Sequence, residues 1–216
     1  RTFFERLGFR VVPSDATNKG IVSLGLNAVA GEPCFPIKVA HGHVAWLLER
    51  GVDYLFLPAV CDAEQPNPRF RQSHTCPYVM SAPEVIAAAL RLEEREVKLL
   101  RPRLFFKRGE RHLRRVFRQL AGELGRSAAE ADQALAAGLE ALRAFRAKLE
   151  QRGREVLERL GEEQRAFVVI GRPYTLYDPA VNMDIGKKIQ DLGILAIPQD
   201  FLPLDRVDVS DAWANT

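Results

Sequence analysis

Two different spacings of apolar residues alternate along this chain, and each change of spacing marks the edge of an element. From Thr2 to Leu7 the apolar residues fall at helical spacing, Gly8 supplies a C-cap, and Phe9 to Val12 is an apolar run of strand length. The turn Pro13-Ser14-Asp15-Ala16-Thr17 offers several N-cap residues, and a helix is expected from Lys19 to about Leu26. Gly31 then interrupts the chain. Beyond it Ile37, Ala40, Val44, Leu47 and Leu48 form the apolar face of a central helix that runs to about Arg50 and is closed by Gly51. Pro36 suits its first turn, where a missing N–H would have had no partner. Asp53 to Pro58 contains a short apolar run suited to a buried parallel strand. A polar, proline-rich loop follows from Asp62 to Ser73, then a short apolar run and a helix opened by Ser81, Pro83 and Glu84.

From Arg91 to Gly161 the chain turns rich in Arg, Glu, Leu and Ala. Phe105 to Leu124 reads as one helix, and Ser127-Ala128-Ala129-Glu130 is a capping-box signature for a second, long one. Leu135, Leu139, Leu142, Leu149, Val156 and Leu160 make an apolar stripe, read as the core face of a helical insertion or as a docking arm or dimer seam. Ala166 to Ile170 restarts the strands, with Gly171-Arg172-Pro173-Tyr174 at its carboxyl end, a helix from Asn182 to Leu192, and a strand from Ile194 to Ile197. Strands alternating with helices predict an α/β fold. The expected architecture is Rossmann-like parallel sheet units at 1–91 and 164–216, the second incomplete, separated by a helical insertion at 92–163.

Composition narrows the function classes. The 216 residues are 47% hydrophobic, enough for a sizeable core. A net charge of +3, with arginines interleaved among glutamates, argues against a nucleic-acid footprint. No apolar run reaches the roughly 18 residues of a membrane span, and the opening at Arg1 without Met suggests a piece of a longer polypeptide. The three cysteines are odd in number and lack a Cys-x-x-Cys pair, so a disulfide framework is not expected and a reducing, cytoplasmic compartment is.

The chemistry concentrates between Gly31 and His43. Cys34 precedes a helix whose N-terminus favours negative charge, and Lys38 and His41 are expected on its exposed face. Cys61, in Pro58-Ala59-Val60-Cys61-Asp62, and Cys76, in His74-Thr75-Cys76-Pro77, are expected in loops near the same cleft. Three converging thiolates suit an iron-sulfur cluster with one open iron, or zinc with His41, His43 or His74 as fourth ligand, or they are buried apolar residues without metal. At the second cleft, Gly171 allows close backbone approach, and Arg172 beside Tyr174 suits a phosphate or carboxylate, or else a structural ion pair. Nothing resembles a Ser-His-Asp or Cys-His nucleophile system, so hydrolysis is disfavoured.

Taken together, Phe3 to Phe9, Ser14-Asp15, the run Pro33-Cys34-Phe35-Pro36 with Lys38 and His41-Gly42-His43, Gly51-Val52-Asp53, Cys76-Pro77, Pro83 to Ile86 and Gly171 to Tyr174 resemble the domain of activase-related proteins in the 2-hydroxyacyl-CoA dehydratase and benzoyl-CoA reductase system. The resemblance spans nearly the whole chain and implies an oxygen-sensitive protein of anaerobic metabolism. Its Cys34, Cys61 and Cys76 would bind a 4Fe-4S cluster, with Lys38 and the helix mouth tuning its potential. It also implies low-potential electron transfer toward an acyl-CoA or other small substrate. ATP would act only through an activase domain or partner protein outside this segment, and a homodimer is possible. The chain departs from that family in carrying Ala59 where many members have Cys, and Thr175 where His often follows the Gly-Arg-Pro-Tyr motif. The competing reading is a non-redox ligand- or partner-binding module with structural or zinc-bound cysteines.

Overall fold

The computed structural model describes residues 1–29, 31–64, 73–161 and 164–202. Helix α1 (Thr2–Arg6) is ended by Gly8 at φ +83°, a conformation that favours glycine. The expected strand at Phe9 to Val12 is not formed. Phe9 gives its ring to the core instead, edge-on to Tyr54 at 6.0 Å. Helix α2 (Lys19–Ala28) is capped by Asn18, whose side chain accepts from the Ile21 N–H at 3.1 Å. Helix α3 (Phe35–Leu48) starts at the N-cap Cys34 with proline in its first turn. It crosses α2 backbone to backbone. A Cβ on Gly25 would stand 2.0 Å from the Lys38 carbonyl oxygen, and one on Gly42 would stand 1.9 Å from that of Ile21. One glycine on each helix therefore permits the approach.

Four short strands follow: β1 (Tyr54–Phe56), β2 (Ala59–Asp62), β3 (Lys98–Leu100) and β4 (Arg103–Phe105). They pair in parallel, β1 with β3 (Tyr54 opposite Lys98) and β2 with β4 (Ala59 opposite Arg103). That register sets Pro58 opposite Pro102. Around the two prolines the contacts continue, with Leu57 N–H donating to Leu100 O at 2.9 Å and Ala59 N–H to Pro102 O at 3.0 Å. The four strands are thus two longer ones, interrupted where Pro102 has no N–H to give the partner strand. Helix α4 (Pro77–Ala89) and a 3-10 turn at Leu92–Glu94 make the crossover between them.

Alternation along β1 gives each face its own core. Leu55 packs with Val44 of α3, Ile86 and Ala87 of α4, and Leu92. Tyr54 and Phe56 face the opposite way, against a cluster that includes Phe3, Leu7, Leu100, Leu104 and residues of the next two helices. These are α5 (Gly109–Glu123), which supplies Leu113 and Leu120, and α6 (Ala128–Glu158), which supplies Ala131 and Leu135. Helices on both faces of a parallel pair confirm the α/β class.

The predicted capping box closes as expected at the start of α6. Glu130 N–H donates to Ser127 Oγ at 3.3 Å, and Ser127 N–H donates to Glu130 Oε2 at 2.8 Å. The long apolar stripe is not one continuous core face. Leu135 is buried, Leu142 is 37% exposed, Phe145 is 57% exposed, and burial resumes at Gly153. There the helix meets the far part of the molecule, because a Cβ on Gly153 would stand 1.9 Å from the Phe201 carbonyl oxygen. That part holds β5 (Ala166–Val169) paired in parallel with β6 (Leu195–Pro198), and helices α7 (Pro173–Leu176) and α8 (Ile185–Asp191).

The described strands form three two-stranded parallel sheets, so a wide Rossmann-like sheet is not confirmed. Strands β3 and β4 lie inside the stretch read as helical insertion, and the helix expected from Phe105 begins only at Gly109 after a 3-10 turn. Helix α4 starts at Pro77, not Ser81, and Pro83 lies within it. Among the described residues no helix is long and apolar enough to cross a membrane. Gly42→Ala or Gly25→Ala forces α2 and α3 apart, and each is expected to cost about 3 kcal/mol, read as a lower urea midpoint. Gly122→Ala, in open space on α5, is expected to stabilise the chain by up to about 1 kcal/mol, read as a higher midpoint. Equal effects at all three would contradict the close crossing.

Candidate functional site at the carboxyl ends of the strands

The topology carries all three cysteines toward one end of the first parallel pair. Helix α4 leaves the carboxyl end of β2 and must return to the amino end of β3, so it runs against the strands and its N-cap Cys76 sits at their carboxyl end. Helix α3 enters β1 at its amino end through Gly51, packs beside α4, and carries its own N-cap Cys34 toward the same end. Cys61 lies in β2 itself, one residue before the strand ends at Asp62. The expectation of a loop there is corrected: the strand resumes after Pro58.

Local bonds then set Cys76 near Cys61. The Thr75 N–H donates to the Cys61 carbonyl at 3.1 Å, and the Thr75 hydroxyl donates to the Val60 carbonyl. Asp62 and His74 form an antiparallel bridge beside them. Cys61 is buried, its thiol donates to Ala59 O at 3.6 Å, and burial pushes that thiol up from its ordinary pKa. Cys34 is exposed and Cys76 half-buried, and neither side chain caps its helix, so both sulfurs stand beside uncapped helix N-termini. An opening of about 620 Å³ is lined by Cys61, His74, Met80, Glu84, Arg103 and Phe105. Among the described residues no three His, Cys, Asp or Glu side chains stand together as a metal-holding group.

The other candidates on α3 are placed differently from expectation. Lys38 reaches back to Glu32 at 2.6 Å, which holds that exposed carboxylate below its usual range. His41 is fully buried, not on the exposed face, and its Nδ1 donates to the Ile37 carbonyl at 2.8 Å. Its buried Nε2 has no hydrogen-bond partner. The α2 crossing covers the side of α3 that the periodicity left to solvent. The Gly171 loop belongs to the β5–β6 pair: Gly171 N–H donates to the Gln199 side chain at 3.3 Å, Arg172 is the N-cap of α7, and Tyr174 is 42% exposed.

A polar chain that sequence reasoning missed joins the two halves. His43 Nε2 lies 3.0 Å from Thr17 Oγ1, and the Thr17 hydroxyl donates to Asp178 Oδ2. Since an ionised carboxylate only accepts, the single hydroxyl proton goes to Asp178 and His43 must donate from Nε2. The Nδ1 atom is then a buried acceptor without a partner. Asp178 also accepts from the Ala180 and Val181 N–H groups at 3.0 and 3.2 Å. A sequence separation of 161 between Thr17 and Asp178 leaves no local pattern to find.

Burial lowers the pKa of His43, and Asp178 only partly opposes it. A depressed imidazole pKa means that the unfolded chain binds more protons, so this stability is present above the unfolded value and is lost as pH falls toward the folded one. The thermal midpoint is therefore expected to fall between about pH 7.5 and 5.5, and to fall less in His43→Gln, whose amide can still donate to Thr17. Parallel midpoint curves for the two proteins would contradict this.

Comparison with curated proteins finds no match, and comparison with solved structures finds none. A family model does match, over residues 1–202, which takes in both strand groups, the three cysteines and the Gly171 loop. On that match the chain belongs to the family described as the CoA enzyme activase uncharacterised domain.

Proposed function

We propose that this domain holds a four-iron, four-sulfide cluster at the carboxyl ends of β1 to β4 and passes low-potential electrons within a CoA enzyme activase system. The observation that carries this reading is the pair of Thr75 hydrogen bonds that sets Cys76 near Cys61, at the end of the fold to which α3 brings Cys34. Thiolate is the donor such clusters take, and two uncapped helix N-termini favour the negative charge of a thiolate-ligated cluster. The family description, with its enzyme activase, supports an enzyme as partner.

The donor type suits such a cluster, and the three cysteines lie toward one end of the strands, but among the described residues they do not stand together as a ligand set. Cys61 keeps its proton and its bond to Ala59 in this conformation, while a coordinating metal would deprotonate it outright. Within this chain Cys34 and Cys76 are the ready ligands and Cys61 the one that must turn. Any ATP hydrolysis belongs to a domain or partner beyond this segment, and an acyl-CoA is the substrate class in keeping with a family described by a CoA enzyme. Lys38, paired with Glu32, contributes little net positive charge to the thiols until that surface pair opens.

One observation favours the second reading, a non-redox binding module: the described residues do not bring three metal ligands together. Metal analysis separates the two. Protein purified without oxygen is expected to contain about four irons and four sulfides per chain, and Cys34→Ala and Cys76→Ala are each expected to lose most of both. Stoichiometric zinc, or an absence of metal under strict exclusion of oxygen, would move the assignment to the binding module.

A further inference from the structure

A run of arginines lies away from the cysteines' helices, on α5 and its N-cap. Arg108, Arg111, Arg115 and Arg118 succeed one another at spacings of three or four, and with His112 and Arg114 they line a groove of about 570 Å³. A neighbouring groove of about 380 Å³ shares Arg108, His112 and Arg115 and continues past Arg101, Arg103 and Phe105. Like charges at helical spacing work against the helix that carries them. Asp132 and Glu110 engage Arg118 and Arg114 at the flank. Among the described residues the first groove itself is lined by no carboxylate.

The histidine sharpens the pattern. An Arg115 N–H donates to His112 Nδ1 at 3.3 Å, and a guanidinium can only donate, so the imidazole proton sits on Nε2. That Nε2–H is buried without a partner. Burial, with the guanidiniums of Arg115 and Arg108, keeps the ring neutral by lowering its pKa. The groove therefore offers guanidinium donors, packed around a neutral ring, to a ligand rich in acceptor oxygens. Arg108 lies 4.0 Å over the Phe105 ring, a flat wall for a planar group. Arg103 and Phe105 also line the opening that holds Cys61, so the two sites adjoin.

We propose that the α5 groove binds the diphosphate of a nucleotide-like small molecule, with Arg111 and Arg115 on the phosphate oxygens and the rest of the molecule running along Phe105 toward the Cys61 opening. Forked guanidiniums match phosphate oxygens two at a time, and the volume is that of a small-ligand pocket. The site stands on its own observations and does not depend on the cluster.

The test is calorimetric titration of the full chain at low salt with pyrophosphate, ADP and coenzyme A, with adenosine as the uncharged control. One saturable site per chain is expected, blind to adenosine and weakened by added salt. Arg111→Ala and Arg115→Ala are each expected to weaken it at least about tenfold. Arg143→Ala, in a surface pair with Glu140 on α6, leaves it unchanged, and circular dichroism confirms that each variant is folded. If ADP or coenzyme A binds more tightly than pyrophosphate, the tighter one identifies the source of the diphosphate. The proposal is overturned if none of the three saturates, if Arg115→Ala and Arg143→Ala bind alike, or if the groove takes only duplex nucleic acid or an acidic polypeptide that pyrophosphate cannot displace.

Discussion

Two prolines facing each other across a parallel ladder constrain everything else in this fold. Pro58 and Pro102 share one register; Leu57 and Ala59 are the residues that donate across the ladder, so Pro58 falls where no N–H faces the partner strand, and the ladder loses only the Pro102 donor before it resumes. The pair, only two strands wide, buries both of its faces. Leu55 then looks toward α3 and α4, Tyr54 and Phe56 look toward α1, α5 and α6, and the chain needs a helical crossover to return in parallel. That crossover is what aims the N-cap of α4 at the carboxyl end.

The remaining architecture hangs on backbone contacts that only glycine allows. Gly25 and Gly42 let α2 lie against α3, which covers His41 and gives Cys34's helix a second support. Gly153 does the same for α6 where it meets Phe201, after a stretch from 140 to 148 that touches no core. Helix α6 is thus a strut, packed at both ends and solvated between them. The hydrogen-bonded chain from Asp178 through Thr17 to His43 ties the same two halves together at another point.

What the sequence made legible was local. The Ser127–Glu130 capping box, the Gly8, Gly51 and Gly193 terminators and the proline in the first turn of α3 act within a few residues, and the structure has them where the pattern put them. Strands β3 and β4 were hidden because Lys98, Arg101 and Arg103 sit among their apolar residues and match the charge-rich helices that follow. Pro83 looked like a helix opener because it is a proline after a serine, whereas Pro77 holds that place. The site was half legible. Cysteines before Phe35-Pro36 and before Pro77 announce helix mouths, but the partners of Thr17, His43 and Thr75 are settled by tertiary contacts that no spacing encodes.

Function follows from the same end of the ladder. The groove that adjoins the arginine groove shares Arg103 and Phe105 with the cysteine opening, so an electron carrier and an anion anchor would work side by side on one surface. The account rests most heavily on Cys34 and Cys76 as ligands of one redox centre. Its most direct measurement is the electron paramagnetic resonance spectrum of anaerobically prepared, dithionite-reduced protein, compared with Cys34→Ser and Cys76→Ser. The account predicts a reduced-cluster signal whose line shape changes in both variants, because serine replaces a thiolate at the iron with an oxygen. A signal unchanged by both substitutions would contradict it.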